Sequence, residues 1–325
     1  MKRILLGWIV ISCSLLIAFI LALSIGPVWI SFLDMSETDK LILFSLRLPR
    51  SLSAFFVGGG LALAGAIFQG LFRNPLADSY LLGISSGASL GAAAAIVLGL
   101  ASPLANFTAV SLFSFLGALS ALCLVFYFGR KNGEFSVFRL LLAGLGVGLF
   151  FSSIVAVFLL MAQEELKALL FFFLGGFATS SWDTTWVSLA CVPIGVLVAC
   201  TFARELNVLL LGEETATSSG VRAGRIQALY AILAAFLTSV SVSLAGLIGF
   251  VGLIVPHIIR IIFGADHRTL FPLTFFAGGV FLVLCDTIAR IVMEPSELPV
   301  GIVTSLVGVP LFLYLLCKET SDYGL

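Results

Sequence analysis

Arg47 and Arg50, in Arg47-Leu-Pro-Arg50, stand three residues apart at the edge of an apolar run that begins at Ser51. On a helical entry that spacing lets both guanidinium groups point the same way. Arginine's planar fork suits bidentate capture of a carboxylate. Arg290 closes another apolar run, with Asp286 one helical turn earlier in the acid-first order that favours pairing. Asp286 is therefore read as a structural partner and not as a proton carrier. Two roles stand open for the three arginines: snorkelling to lipid headgroups, or waiting for carboxylates on an external partner. His257, beside Pro256, reads as a hydrogen-bonded structural residue, and His267 falls in a polar loop. Neither has a Ser, Cys or Glu at a telling spacing, so no catalytic constellation is expected. Gly83-Ile-Ser-Ser-Gly87 could imitate a serine site, yet no histidine lies on a facing helix. Cys13, Cys123, Cys191, Cys200, Cys285 and Cys317 are scattered singly through apolar sequence, so no metal site is expected. A G-x-x-x-x-G-K-[ST] loop is missing, so the chain cannot hydrolyse ATP alone.

The elements that carry these residues must live in lipid. The chain is 60% hydrophobic and only 10% charged, with mean hydropathy +1.19, whereas a soluble domain carries roughly 25% charged residues. No segment is polar and long enough for a soluble catalytic domain, and no basic stripe suggests nucleic acid. We expect an all-α polytopic membrane protein, one transmembrane domain over residues 1–325, with spans at 4–26, 51–71, 83–101, 106–128, 137–161, 184–203, 227–247, 250–264, 271–292 and 300–317. The opening apolar run from Ile4 to Ile25 is longer than a signal-peptide core and lacks an A-x-A site. With Lys2 and Arg3 inside, twelve basic residues fall on the cytoplasmic side. Five (Lys40, Arg47, Arg50, Lys167, Arg290) fall outside. That bias obeys the positive-inside rule and places both termini in the cytoplasm.

Ser243 to Arg260 is apolar, yet Gly246, Gly249, Gly252 and Pro256 make it a poor uninterrupted helix. Pro256 is expected to bend or break it, and glycine-lined broken spans surround transport pathways. An offset of 181 residues pairs Leu63-Ala64-Gly65 with Leu244-Ala245-Gly246, Pro75 with Pro256, and Gly83 with Gly264. The second to fifth spans would thus repeat as the seventh to tenth. Five spans apart, the copies would run in opposite directions, with the substrate path at their interface. Between Arg204 and Arg225, Gly212 and Gly220 bracket two turns of helix, with Gly220 as the stop. That helix is either a plain connector or a plug into a cytoplasmic partner. Leu170 to Trp182, aromatic and glycine-rich, is either a re-entrant helix at the outer mouth or an interfacial belt.

Together these segments resemble the FecCD/BtuC-type permeases, the membrane subunits of type II ABC importers, from about Leu46 to Leu316. The carriers are Arg47-Leu-Pro-Arg50, Ala64-Gly65 with Gln69-Gly-Leu, Asn74-Pro-Leu-Ala77 and Leu82-Gly-Ile-Ser-Ser-Gly87. Leu211-Gly212 with Ala216 and Gly220 follow, then Gly249-Phe-Val-Gly-Leu with Pro256-His257 and Arg260. Asp286 with Ala289-Arg290 and Glu297-Leu-Pro-Val-Gly301 complete the set.

The resemblance implies a ten-helix subunit that dimerises with an identical or paralogous permease, bound to two cytoplasmic ATP-binding subunits and an external substrate-binding protein. It assigns Arg47, Arg50 and Arg290 to docking of the binding protein. Leu211, Gly212, Glu213, Glu214, Ala216 and Gly220 fall to coupling with the ATPase. Gly83, Ser85, Ser86, Gly87, Phe172, Gly175 and Gly176 fall to the pathway and its gates. Phe172 stands where many relatives carry tryptophan. Asn74, Pro75, Pro256, His257, Arg260 and Asp286 are expected to be structural. The chain would bind no cofactor itself, ATP and Mg belonging to the partner ATPase. The cargo would be a metal chelate: ferric siderophore by family frequency, with haem, cobalamin or molybdate as the alternatives. An ion-driven secondary transporter would need buried acidic or histidine relays, for which Asp286 is nearly alone.

Overall fold

The computed structural model describes residues 2–32, 34–100, 106–131, 134–135, 137–162, 165–293 and 296–322. Helix is the rule because a backbone in hydrocarbon must satisfy its own N–H and C=O groups. In order, the elements are α1 (Lys2–Ser24), α2 (Glu37–Ile42), α3 (Leu48–Leu71), α4 (Ile84–Val97), α5 (Asn106–Gly129) and α6 (Val137–Met161). Then come α7 (Leu166–Leu174), α8 (Trp182–Thr201), α9 (Ala203–Leu210), α10 (Glu213–Ser218), α11 (Ala223–Ala245), α12 (Val251–Phe263), α13 (His267–Ile291) and α14 (Val300–Asp322). A two-residue antiparallel pairing, Arg130 opposite Phe135, closes the α5–α6 turn. Among the described residues, seven helices are long and apolar enough to cross a membrane, and α4, α12 and the described part of α14 are apolar but shorter. The expected side-chain roles of Lys2, Arg3, Arg130, Lys131, Glu213 and Lys318 lie outside the described residues.

Each expected span falls on a helix, but the second starts far earlier than residue 51. α2 passes through a π turn (Leu43–Arg47) into α3, giving one continuous helix from Glu37 to Leu71. Its start is fixed by Ser36 and Asp39, whose side chains each bond the other's backbone N–H. Arg47 and Arg50, expected on the outer side before the second span, are inside the fold, Arg50 paired with carboxylates and Arg47 with backbone carbonyls.

α3 is the axis of the molecule, buried along nearly its whole length and packed by α1, α8, α11, α12 and α13. It meets α13 head to tail: Arg50 pairs with Asp286 at one end and Gly70 abuts His267 at the other. Between them the helices cross at Gly58 and Gly278. A methyl on either would stand 2.5–2.6 Å from the other's carbonyl oxygen. Phe55 lies over Gly279 and Phe275 over Gly59, with the two rings edge to face at 5.5 Å. Gly65 touches the Gly252 backbone in the same manner, seating α12 on α3.

The repeat is present in a different register from the one read in the sequence. Helices α3 to α6 have 24, 14, 24 and 25 residues, and α11 to α14 have 23, 13, 25 and 23. Each short helix opens after a residue in the left-handed region, Gly83 at φ 67° and Phe250 at φ 69°. The offset of 181 equates unlike places: Gly65 is mid-helix while Gly246 ends one, and Pro75 is in a turn while Pro256 is inside α12. Matches among abundant Leu, Ala and Gly produced that offset. The inversion itself is real. α8 runs parallel to α3, since Ser53 bonds Thr185 and Gly60 faces Val192. α11 runs antiparallel to α8, since Gly195 faces Leu237 and the Tyr230 hydroxyl donates to Ala199 O.

Pro256 does not break its helix. The interruption lies upstream, at residues 246–250, and α12 continues through the proline. Pro256 has no N–H for the Gly252 carbonyl, and the Gln69 amide of α3 supplies the donor. Its Nε2 lies 2.9 Å from Leu253 O and 3.5 Å from Gly252 O. Replacing Gln69 by Leu should cost about 1–3 kcal/mol. Lower thermal unfolding temperature in detergent, with helix content unchanged, is the expected reading.

Candidate functional site

At one end of α3 and α13 three buried arginines and two carboxylates meet. Arg50 Nε donates to both Asp286 oxygens at 3.0 Å and Nη2 to Oδ1 at 2.8 Å. Its Nη1 donates to both Glu297 oxygens, at 3.0 and 2.8 Å. Asp286 Oδ2 also lies 3.4 Å from Arg290 Nε, so the intrahelical pair expected from spacing exists, but as the longer of two partnerships. Arg47 and Arg50 do not point the same way. Arg47 Nη1 donates to Leu23 O (2.7 Å) and Ser24 O (2.8 Å), and Nη2 donates to Val28 O. Arg290 Nη2 donates to Ala22 O at 3.0 Å. Two arginines therefore cap the C-terminus of α1, where orphan carbonyls and the negative end of the helix dipole lie. None of the three is a free headgroup anchor: each is at most 9% exposed.

Midway along, the 246–250 interruption is stitched to α7 and α14. Leu247 N donates to Phe172 O (3.2 Å) and Gly176 N to Ala245 O (2.8 Å). Gly175, at φ 67°, turns the chain away from α7. Gly301 packs on the Leu174 carbonyl. The aromatic segment is thus a helix over 166–174, tied backbone to backbone to the α11–α12 break. Gly83 and Gly87 sit in tight helix contacts, Gly83 against Gly144 and Gly148 of α6 and Gly87 against Gly117 of α5, and Ser85 is buried. Half-buried Ser86 donates to Gly83 O at 2.9 Å, turning its hydroxyl back on its own helix.

At the far end, α9 and α10 form a short projecting segment. Gly212 (φ 121°) and Gly220 (φ 80°) stand outside the two ends of α10, so the expected bracketing holds. Ala216 is buried, and Leu211, 73% exposed, and Glu214 face outward. Behind this segment Arg73 Nη2 donates to Leu209 O (2.8 Å), and Asn74 Oδ1 accepts from Leu76 N (2.9 Å) in the Pro75 turn. His257 is buried inside α12, and Arg260 lies in its last turn. Asp266 caps α13 through the Arg268 N–H. Burial pushes the Asp266 carboxyl up, but the Arg268 N–H, the Asn207 amide and nearby positive charge outweigh it and hold the group below its ordinary value.

Sequence reasoning missed Glu297 as a partner of Arg50, Gln69 as a carbonyl donor, and Asn207 altogether. A rule for the first was at hand: ionisable groups in apolar spans pair with one another, and the sequence reading left Arg50 without a carboxylate of its own chain.

The FecCD transport family matches residues 14–318. This chain belongs to that family. Within the FecCD family it is 42% identical, over 86% of its length and 74% of the relative's, to the cobalamin import system permease protein BtuC of Halobacterium salinarum. It is 37% identical to the vitamin B12 import system permease protein BtuC of Salmonella paratyphi A, over 95% and 94% of the two chains. A solved structure described as an inward-facing conformation of a metal-chelate type ABC transporter superposes with TM-score 0.89 at 32% identity, covering 98% of this chain and all of that one.

Removing Asp286 takes the carboxylate from Arg290 and leaves Arg50 with Glu297 alone, and breaking a buried pair in this way costs about 3–5 kcal/mol. Asp286→Leu should therefore lower the unfolding temperature sharply, and the double variant Arg50→Leu, Asp286→Leu should recover the share owed to buried Arg50 while the share owed to Arg290 stays lost. Equal damage in single and double variants would contradict the pairing.

Proposed function

We propose that the chain is the permease subunit of an ABC importer in the cytoplasmic membrane, that it carries cobalamin, and that it works with a second permease, two ATPase subunits and an external binding protein. The observation that carries the reading is the near full-length likeness to cobalamin permeases. That likeness favours a corrinoid over the ferric siderophore suggested by family frequency. Both are bulky chelates, so selectivity between them rests with the binding protein and the mouth around Phe172, Gly175 and Gly176. Complexes reconstituted with the cognate ATPase and binding protein should import cyanocobalamin only with ATP. Import of ferric hydroxamate, with cyanocobalamin excluded, would return the siderophore reading.

The projecting α9–α10 segment, with exposed Leu211 and Glu214, is the face offered to the ATPase. The arginine end is the face offered to the binding protein, and Arg50, itself buried, is tied to the surface there through half-buried Glu297. Arg47 and Arg290 are committed to α1 carbonyls, whereas Arg50 Nη1 is held by Glu297, whose side chain is 34% exposed. An incoming carboxylate can exchange with Glu297 there. Glu297→Gln, which weakens the internal competitor, is expected to tighten association of the binding protein with nanodisc-embedded complex; weaker or unchanged association would reject the exchange.

A further inference from the structure

α9 packs its apolar face, Leu206 and Leu209, against the bundle. Apolar contact is non-directional, so by itself it lets a short helix slide. Arg73 holds the end of α9 through Leu209 O, and one further polar side chain ties the helix to α13. Asn207 Nδ2 donates to Asp266 Oδ1 at 2.6 Å. Asn207 Oδ1 accepts from His267 N at 3.1 Å and lies 2.7 Å from His267 Nδ1. The assignment is forced by chemistry. A carboxylate needs a donor, so the amide nitrogen faces Asp266, the amide oxygen faces the histidine, and Nδ1 carries the imidazole proton. His267 is fully buried, edge-on to Phe271 at 4.9 Å, with Nε2 against Gly70 of α3. The three bonds of one amide thus join α9 to the N-cap and first residue of α13, at the point where α13 meets α3.

α13 has 25 residues and spans roughly 37 Å at 1.5 Å per residue, continuing through Pro272 without a break. Its opposite end holds Asp286 and Arg290. We propose that Asn207 is a positioning residue for energy coupling: a latch that makes the ATPase-facing segment and helix α13 move together. The latch rests on the coupling reading of α9–α10 above. The displacement it passes to α13 arrives at the arginine end through one rigid helix, which is the kind of contiguous element that can carry coupling between distant sites.

The test uses the whole complex in proteoliposomes, reading ATP hydrolysed per cyanocobalamin imported and the amount of ATPase that copurifies. Asn207→Asp sets two carboxylates against each other and should raise the ratio on the order of 5-fold or more with assembly intact. Asn207→Ala, which removes the bonds without repulsion, should do the same. The exchange Asn207→Asp with Asp266→Asn keeps the Arg268 cap and swaps donor for acceptor, so it should return the ratio to within about twofold of native. A native ratio in Asn207→Ala, or an exchange variant that assembles but stays uncoupled, overturns the latch. If Asn207→Asp fails to assemble, Asn207→Ala and the exchange variant decide. Substitution of exposed Leu211 and Glu214 that leaves ATPase copurification and the ratio native would sink the coupling reading, a different outcome from loss of coupling there with an indifferent Asn207.

Discussion

One carboxylate holds one end of this protein together. Asp286 is almost fully buried and serves two guanidinium groups from different helices. Burying a charge in a low-dielectric interior is costly unless it is paired and its remaining sites are filled. Around Asp286 that requirement recruits α3 through Arg50, the segment before α14 through Glu297, and α1 through the carbonyls that Arg47 and Arg290 cap. Helix order at that end is set less by apolar packing than by where positive charge can find oxygen.

The same constraint, applied to backbone, explains the middle of the molecule. A chain interrupted at 246–250 exposes carbonyls and amides that lipid cannot satisfy, and the α7 terminus satisfies part of that demand through Phe172 O and Gly176 N. Gln69 donates to Leu253 O and, at 3.5 Å, to the Gly252 carbonyl that Pro256 leaves without its backbone donor. Glycine contacts at Gly65, Gly175 and Gly246 bring these backbones close enough for such bonds to form. Polar satisfaction and close approach are therefore one design, since neither works at ordinary interhelical distance.

Much of this was legible in the sequence. Hydropathy marked the helices on which the expected spans fall, because hydrocarbon tolerates few charged residues. The bracketing of α10 followed from Gly212 and Gly220, whose conformations disfavour other residues. The second span's start was misjudged because Arg47 and Arg50 look polar until their partners are known, and those partners lie 19 to 247 residues away along the chain. The repeat's register failed for a related reason. Identity among Leu, Ala and Gly is cheap, whereas the shared feature is a left-handed residue before a short helix, filled by glycine in one half and phenylalanine in the other. Asn207 gave no signal, since a single amide in a short amphipathic helix matches no motif.

Along α3, Arg50 and Gly70 are separated by twenty residues, roughly 30 Å of helix, which is the usual thickness of the hydrocarbon layer. The ionic cluster and the histidine contact therefore stand about one hydrocarbon thickness apart on the same pair of helices. Because both are buried, a bilayer thicker or thinner than this would be met by the lipid-facing apolar surface between them and not by the contacts themselves.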